Sequence, residues 1–370
     1  MVLYTFFIFF SIVVLAHCKM DMFVQNLSKL LLDYNETSVN TKCPLFVATN
    51  VATAGLGDRL EQAIFARHFA RKFRATFVLI NGFGKINHEH NGGDDYSRIA
   101  RYLGVNFLEW SHVEAIYKPF TLKLNYMELT TLYNDITVHK NNSLRCNTIL
   151  EVTLWSCLLN NHTNHYSWCH GSSEYRENDL EEAMMIARGH KIGEKCLRDG
   201  LGFPAREANN DSLIVITHLR SGDICLGCHL SYFQTLQRTL MKSFRFHESN
   251  IGQSVHLAIE AQVNLTLFED PFFKNYDFYL PSQNNSLLDT ICRFLTADVL
   301  VTTGSSFPMM IAMYGLPSMP IVMEESIKFR RARHYLSSSL DVNLVDGVPV
   351  DVSYNEIFQM LPTSVQARLS

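Results

Sequence analysis

Short apolar runs rich in Val, Ile and Leu recur along this chain, and several are followed by stretches whose apolar residues repeat every three to four positions. The first such unit starts at Pro44. Leu45-Phe46-Val47-Ala48-Thr49 reads as a buried strand and Ala54-Gly55-Leu56-Gly57-Asp58 as a turn. Arg59 to Phe73 then reads as a helix with Leu60, Ile64, Phe65 and Phe69 on one face. A second strand, Ala75 to Ile80, follows directly. Strand, glycine turn, helix and strand form a βαβ unit, which predicts a parallel sheet with a helical crossover. The alternation returns after residue 208, with strand Leu213 to Thr217, helix Ser231 to Phe244, strand Val255 to Glu260, helix Leu287 to Thr296 and strand Val299 to Thr303. Ser305-Ser306-Phe307-Pro308 then opens a helix over Met309 to Tyr314, and Pro320 to Met323 gives one more strand. The fold class expected is α/β, with two doubly wound units.

Between Asn81 and Ala208 the pattern is less regular, a helix over Asp179 to Arg188 being the clearest element, and the stretch reads as the rest of the first unit plus insertions. Gly202-Phe203-Pro204 through Asn209-Asn210-Asp211 is the expected linker. The boundaries are therefore residues 1–18 for a leader, 19–43 for a polar stem or lead-in, 44–208 for the N-terminal unit and 209–370 for the C-terminal unit.

Composition narrows the class. With 370 residues, 47% of them hydrophobic and 18% charged, the chain has ample apolar surface for two cores and is no disordered segment. A formal net charge of -4, without a basic stripe interleaved with aromatics, argues against a nucleic-acid partner. Any anion site must be local. Val2 to Ala16 is almost wholly apolar, shorter than a typical span of about 20 residues, and Ala16 and Cys18 suit a signal-peptidase site. A cleaved signal peptide is expected, with an uncleaved signal anchor as the alternative. Either sends the chain to the secretory pathway, as a protein of the ER or Golgi lumen, a secreted protein or a type II Golgi membrane protein. Sequons at Asn26, Asn35, Asn141, Asn161, Asn210, Asn264 and Asn284 agree with that compartment. Past the leader, Cys43, Cys146, Cys157, Cys169, Cys196, Cys225, Cys228 and Cys292 form an even set suited to disulfides, with the pairing open.

Three places carry candidate chemistry. His218-Leu219-Arg220-Ser221-Gly222-Asp223 follows an apolar strand and so places fixed charge at its carboxyl end, where open α/β sheets bind ligands. Arg220 can grip two phosphate oxygens at once and keeps its charge, His218 can donate to a phosphate or leaving oxygen, and Asp223 can orient either cation. The same residues could also form an ordinary surface ion pair. Asp298-Val299-Leu300-Val301-Thr302-Thr303-Gly304-Ser305-Ser306 feeds hydroxyls into a helix start, which suits phosphate but equally suits simple capping by Ser305 or Ser306. Gly55-Leu56-Gly57-Asp58-Arg59 is a glycine turn at the first sheet's edge, able to border a ligand or only to turn the chain. Cys225-Leu226-Gly227-Cys228-His229 matches the pattern of haem attachment and redox sites, but disulfide partners fit a glycosylated secretory chain better. His88 and His90 lie in a loop. Phe272, Phe273, Tyr276, Phe278 and Tyr279 could stack a base or sugar, with packing the preferred reading.

Taken together these segments resemble the fucosyltransferase superfamily, the α1,2-, α1,6- and protein O-fucosyltransferases. His218 to Asp223 is similar to its H-x-R-x-x-D motif, Gly55 to Arg59 to its early G-x-G-N-[RQ] turn, and Asp289 through Ser306 to its late stretch of carboxylate, strand and paired serines. The resemblance implies a GT-B architecture, two Rossmann-like domains facing a cleft, with GDP-fucose in the C-terminal domain and a glycan or glycoprotein acceptor at the N-terminal one. It implies that Arg220 holds the β-phosphate, His218 assists at the phosphates or nucleotide, and Ser305 and Ser306 bind the diphosphate. Asp298 or Asp289 would then contact the guanosine or its ribose, while Gly55, Gly57 and Asp58 border the fucose. Fucose would pass with inversion to a hydroxyl, and no cofactor or metal is expected, since Arg220 and helix amides can neutralise the departing diphosphate.

The chain departs from the family in three places. Ser221 stands where a second arginine is frequent, Asp58 stands where the early turn has asparagine, and Ile224 to Tyr232 holds no carboxylate to act as base. Glu260, at the end of a predicted strand, is the remaining candidate for that role. A non-catalytic glycan- or nucleotide-binding protein of the same fold, or a transferase using another nucleotide sugar, is the alternative expectation.

Overall fold

The computed structural model describes residues 39–40, 42–51, 56–82, 96–139, 146–153, 182–183, 186–187, 189–203, 213–219, 255–261, 277–279, 286–302, 306–312, 314, 321–324, 339–342, 344–345, 348–349, 358–359, 363 and 366–367. In the first half, β1 (Leu45–Thr49) leads to α1 (Leu56–Lys72), β2 (Thr76–Leu79), α2 (Tyr96–Tyr102) and β3 (Leu108–Glu109). Then come α3 (Trp110–Tyr117), β4 (Phe120–Asn125), α4 (Tyr126–His139) and β5 (Thr148–Thr153). These strands form one five-stranded sheet in the order β3-β2-β1-β5-β4, and each of its pairings is parallel.

After α5 (Ile192–Arg198), the second half contains β6 (Leu213–Leu219), β7 (Val255–Ala261), β8 (Asp277–Tyr279) and α6 (Leu287–Thr296). It continues with β9 (Val299–Thr302), α7 (Ser306–Ala312), β10 (Ile321–Glu324) and β11 (Ser339–Val342), before a small antiparallel pair, β12 (Leu344–Val345) with β13 (Val348–Pro349). The second sheet runs β11-β10-β9-β6-β7-β8 and is parallel throughout. The chain is a parallel-sheet α/β protein. The predicted helices and strands around β1, β2, β6, β7, β9 and β10 are present, whereas the predicted helix Ser231 to Phe244 lies outside the described residues.

Burial explains why these segments fold as they do. Phe46, Val47, Ala48, Phe77, Val78, Leu79, Ile149 and Leu150 are fully enclosed, as central strands covered on both faces require. One face of the first sheet packs with α1 into a large core cluster; the other joins Val113 of α3 in a smaller one. The large cluster continues into the second half through Ile216, Ile291, Phe294, Leu300, Met310 and Ile311. Helix α1 explains the continuity, because it packs on β1 and β2 and also receives α7. It is therefore enclosed on more than its apolar stripe, and Arg59, Gln62, Arg67 and His68 are buried with Leu60 and Phe69.

Two disulfides are formed among the described residues. Cys43–Cys146 ties the chain entering β1 to the chain entering β5, and Cys196–Cys292 ties α5 to α6.

Candidate functional site

Counted from β6, the second sheet has the strand order 3-2-1-4-5-6. The strands that follow β6 are added on one side and those that follow β9 on the other, so the carboxyl ends of these two neighbours form the switch point at which open α/β sheets bind ligands. β6 ends at Leu219, one residue before Arg220, and β9 ends at Thr302, three before Ser305. The described parts of the two segments picked out in the sequence, His218-Leu219 and Val299 to Thr302, thus end side by side at the switch point.

The last row shared by four strands at this edge is fixed by register. Thr302 pairs with His218, His218 with Glu260, and Glu260 with Tyr279. Glu260 therefore stands beside His218 on the carboxyl edge of the sheet. The His218 imidazole is 4% exposed, set edge-on to Phe294 of α6 at 5.6 Å and to Phe307 of α7 at 6.1 Å. These rings hold it just beneath the edge. Ser306 is the first residue of α7. Arg220, Asp223, Ser305 and Gly55 lie outside the described residues, as do His88, His90 and the Cys225 to His229 segment.

The two candidate aspartates are placed differently. Asp298 precedes β9, so it sits at the amino edge, about 13 Å of strand away from the switch point at roughly 3.3 Å per residue. There its carboxylate accepts from the Ile214 amide at 3.0 Å while its own amide donates to the Ile214 carbonyl at 2.9 Å. Asp298 closes the β6–β9 seam at the wrong edge for a nucleotide contact, and that expectation is withdrawn. Asp289 lies in the first turn of α6, at the carboxyl edge of the sheet, since α6 runs back toward the start of β9. It forms a capping box with Ser286: its Oδ2 accepts from the Ser286 amide at 3.1 Å and hydroxyl at 2.7 Å, and its amide donates to Ser286 Oγ at 3.1 Å.

One residue near this edge has no counterpart in the sequence reading. Arg293, in the middle of the apolar stretch of α6, is 4% exposed, lays its guanidinium 4.2 Å over the Tyr279 ring and donates to Thr290 Oγ1 at 3.3 Å. Tyr279 also meets Phe203 edge-on at 5.8 Å, so its ring is engaged in packing. A charged residue at a helix position otherwise reserved for Ile, Cys, Phe and Leu was the available signal.

The first sheet has its own switch point, between β1 and β5. Thr49 Oγ1 donates to the Val152 carbonyl at 3.0 Å across it. Gly57 and Asp58 fall in the first turn of α1, Gly57 being buried. Arg59 follows, enclosed and 5.9 Å from the centre of the Tyr96 ring. Its burial pulls the guanidinium pKa below the ordinary value, Tyr96 opposing that shift.

No family model matches this chain, and no curated protein matches it. Among solved structures it is similar to S. aureus MnaA with UDP, with a TM-score of 0.41 and 8% identity over 89% of this chain and 91% of that one. It is similar to the fucosyltransferase NodZ from Bradyrhizobium, with a TM-score of 0.36 and 13% identity over 74% and 93%. A mutant of Arabidopsis thaliana FUT1 in complex with GDP gives 0.39 and 12% over 81% and 74%. With TM-scores below 0.5 these are distant likenesses, and the functional reading below rests on the chain's own residues.

Proposed function

We propose that this protein is a glycosyltransferase that binds a nucleoside-diphosphate sugar outside the carboxyl ends of β6 and β9, with GDP-fucose as donor and a glycan or glycoprotein hydroxyl as acceptor. The observation that supports the reading is the strand order of the second sheet, which sets the carboxyl ends of β6 and β9, at Leu219 and Thr302, side by side at a switch point. The identity of the sugar rests on the motif resemblance.

Arg220 grips the diphosphate and stabilises the charge that develops on it as the glycosidic bond breaks, aided by the hydroxyls and amides of Ser305 and Ser306. No metal has to supply that charge. His218 supports the edge from beneath, Asp223 orients Arg220, and Asp289 holds the helix start beside the site. Gly55, Gly57 and Asp58 border the sugar from the first half. Glu260, beside His218 on the last row, is the base that takes the acceptor proton, so that attack opposite the departing diphosphate inverts the anomeric carbon. The leader, the sequons and the two disulfides support a place in the secretory pathway.

Calorimetry with GDP, UDP and GDP-fucose tests the donor site. Wild type is expected to bind GDP and GDP-fucose, with binding weakened at least tenfold in Arg220→Ala; indifference to GDP, or equal binding by the variant, refutes the assignment. Release of GDP from GDP-fucose over a mixed glycan array tests turnover. The absence of a carboxylate from Ile224 to Tyr232 favours a second reading, a non-catalytic binder, which would bind GDP and release none.

A further inference from the structure

The chain between the two sheets is anchored to both of them, and the anchors change hands at one residue. His190 is held by the first half. Arg67 of α1 donates to its Nε2 at 2.9 Å, and the ring lies so close on Gly104 that a Cβ there would come within 2.7 Å of its Cγ. From Gly193 onward the chain is held by the second half. A Cβ on Gly193 would sit 2.9 Å from the Leu295 carbonyl, and one on Gly202 would sit 2.6 Å from Thr296 Oγ1. Cys196 is bonded to Cys292, and the Phe203 amide donates to Thr296 Oγ1 at 3.3 Å. Between these two sets stands Lys191, with φ 49 and ψ 45. That left-handed conformation is strained for a residue with a side chain.

Helix α5 also touches the first half again, through a different kind of contact. Tyr102, the last residue of α2, donates its hydroxyl to Asp199 Oδ2 at 2.8 Å. Lys195 donates to the Tyr102 carbonyl at 3.2 Å and lies 3.7 Å from the centre of its ring. Lys195 and Asp199 are four apart and share one stripe of the helix, while Ile192 and Cys196 share the stripe that is buried. The buried stripe is bonded covalently and packed without room for a methyl group. The polar stripe is held by a few hydrogen bonds that water can replace.

We propose that Lys191 is a hinge between the two halves and that the Tyr102–Asp199–Lys195 contact is the catch that holds it shut, with α5 travelling as part of the second half. On release α5 leaves α2, and the apolar contact of α7 with α1 is the surface over which the halves roll. The mechanical boundary then lies at Lys191 rather than in the polar stretch after Gly202 that the sequence suggests. This inference stands apart from the proposed activity, since its test reads backbone exchange and not turnover.

Amide hydrogen exchange on the full chain decides it. Tyr102→Phe and Asp199→Ala each remove the hydroxyl bond and should speed exchange about fivefold, the equivalent of one net hydrogen bond. The faster amides should be those of Leu103 to Val105 and of residues 199–201, with α6 unchanged. Asp199→Asn keeps an acceptor and should restore the slower rate. Adding Lys191→Gly to Tyr102→Phe removes the left-handed strain of the shut form and should bring exchange back toward the wild-type rate. Exchange rising in α6 together with α5 would show that the supposedly fixed side is not fixed. No rise in either single variant would show that the contact holds nothing, and exchange that does not slow on adding Lys191→Gly would remove the hinge.

Discussion

Removing the Cys196–Cys292 bond as Cys196→Ala/Cys292→Ala gives the most discriminating stability measurement on this fold. The bond closes a segment of sequence separation 96, and constraining a denatured chain over a loop of that size contributes about 4.7 kcal/mol at 25 °C on the chain-entropy model. Cys43–Cys146 closes a separation of 103, for which the same model differs by only about 0.1 kcal/mol. Loop entropy therefore predicts nearly equal losses for the two double variants. Their native surroundings are unlike. Cys196 and Cys292 are fully enclosed, whereas Cys146 is exposed and Cys43 half-buried. Urea unfolding of both variants, followed by circular dichroism, should show similar falls in stability, together with a larger m-value as the denatured chain expands. A loss below about 1 kcal/mol in either variant with an unchanged m-value would refute the denatured-state reasoning. A much larger loss at Cys196–Cys292 alone would mean that the seam between α5 and α6 depends on the bond itself.

Asp298→Ala leaves the buried Ile214 amide without its acceptor and should cost about 1–3 kcal/mol in urea unfolding while leaving GDP affinity unchanged in calorimetry; a tenfold weaker affinity would return Asp298 to the nucleotide site. Gly202 has φ +98 and no room for a Cβ, whereas Gly200 has φ +68 with nothing within 4 Å. Gly202→Ala should therefore cost at least about 2 kcal/mol and Gly200→Ala about 1, and equal melting temperatures for the two would contradict the packing described. Burial, and then the bond to Asp199, raise the Tyr102 pKa. A raised folded-state pKa gives stability that is complete below the unfolded value of about 10 and is lost as pH climbs toward the folded one. Wild type should lose stability as pH rises past about 10, the ordinary value for tyrosine, more steeply than Tyr102→Phe does; parallel slopes would discount the shift.

The strands most legible in the sequence are central ones buried on both faces, although β5, equally central, was not read. β1, β2, β6 and β9 are continuous apolar runs because neither side of a central parallel strand meets water. β4 escaped notice because it is an edge strand, partly exposed, with Thr121, Lys123 and Asn125 interrupting its apolar residues. Helix α3 is equally unobtrusive, since of its eight residues only Val113 is buried and Ile116 faces solvent. At the site, the positions that follow strands were legible because chain direction alone assigns them to the carboxyl edge. The same rule separates Asp298 from Ser305: a residue that precedes β9 belongs to the opposite edge, whatever its charge. Arg293 was hidden because periodicity marks a helix face as buried without saying that a cation stacked on Tyr279 can share it.

The two disulfides also bear on how the chain is made. Their spans, 43 to 146 and 196 to 292, follow one another along the sequence and do not interleave. A chain that emerges from the ribosome N-terminus first can complete and oxidise its first sheet while Cys196 is still unmade. The second bond then forms without reopening the first. An interleaved pattern would have kept early cysteines waiting, exposed to wrong partners, until most of the protein had been synthesised.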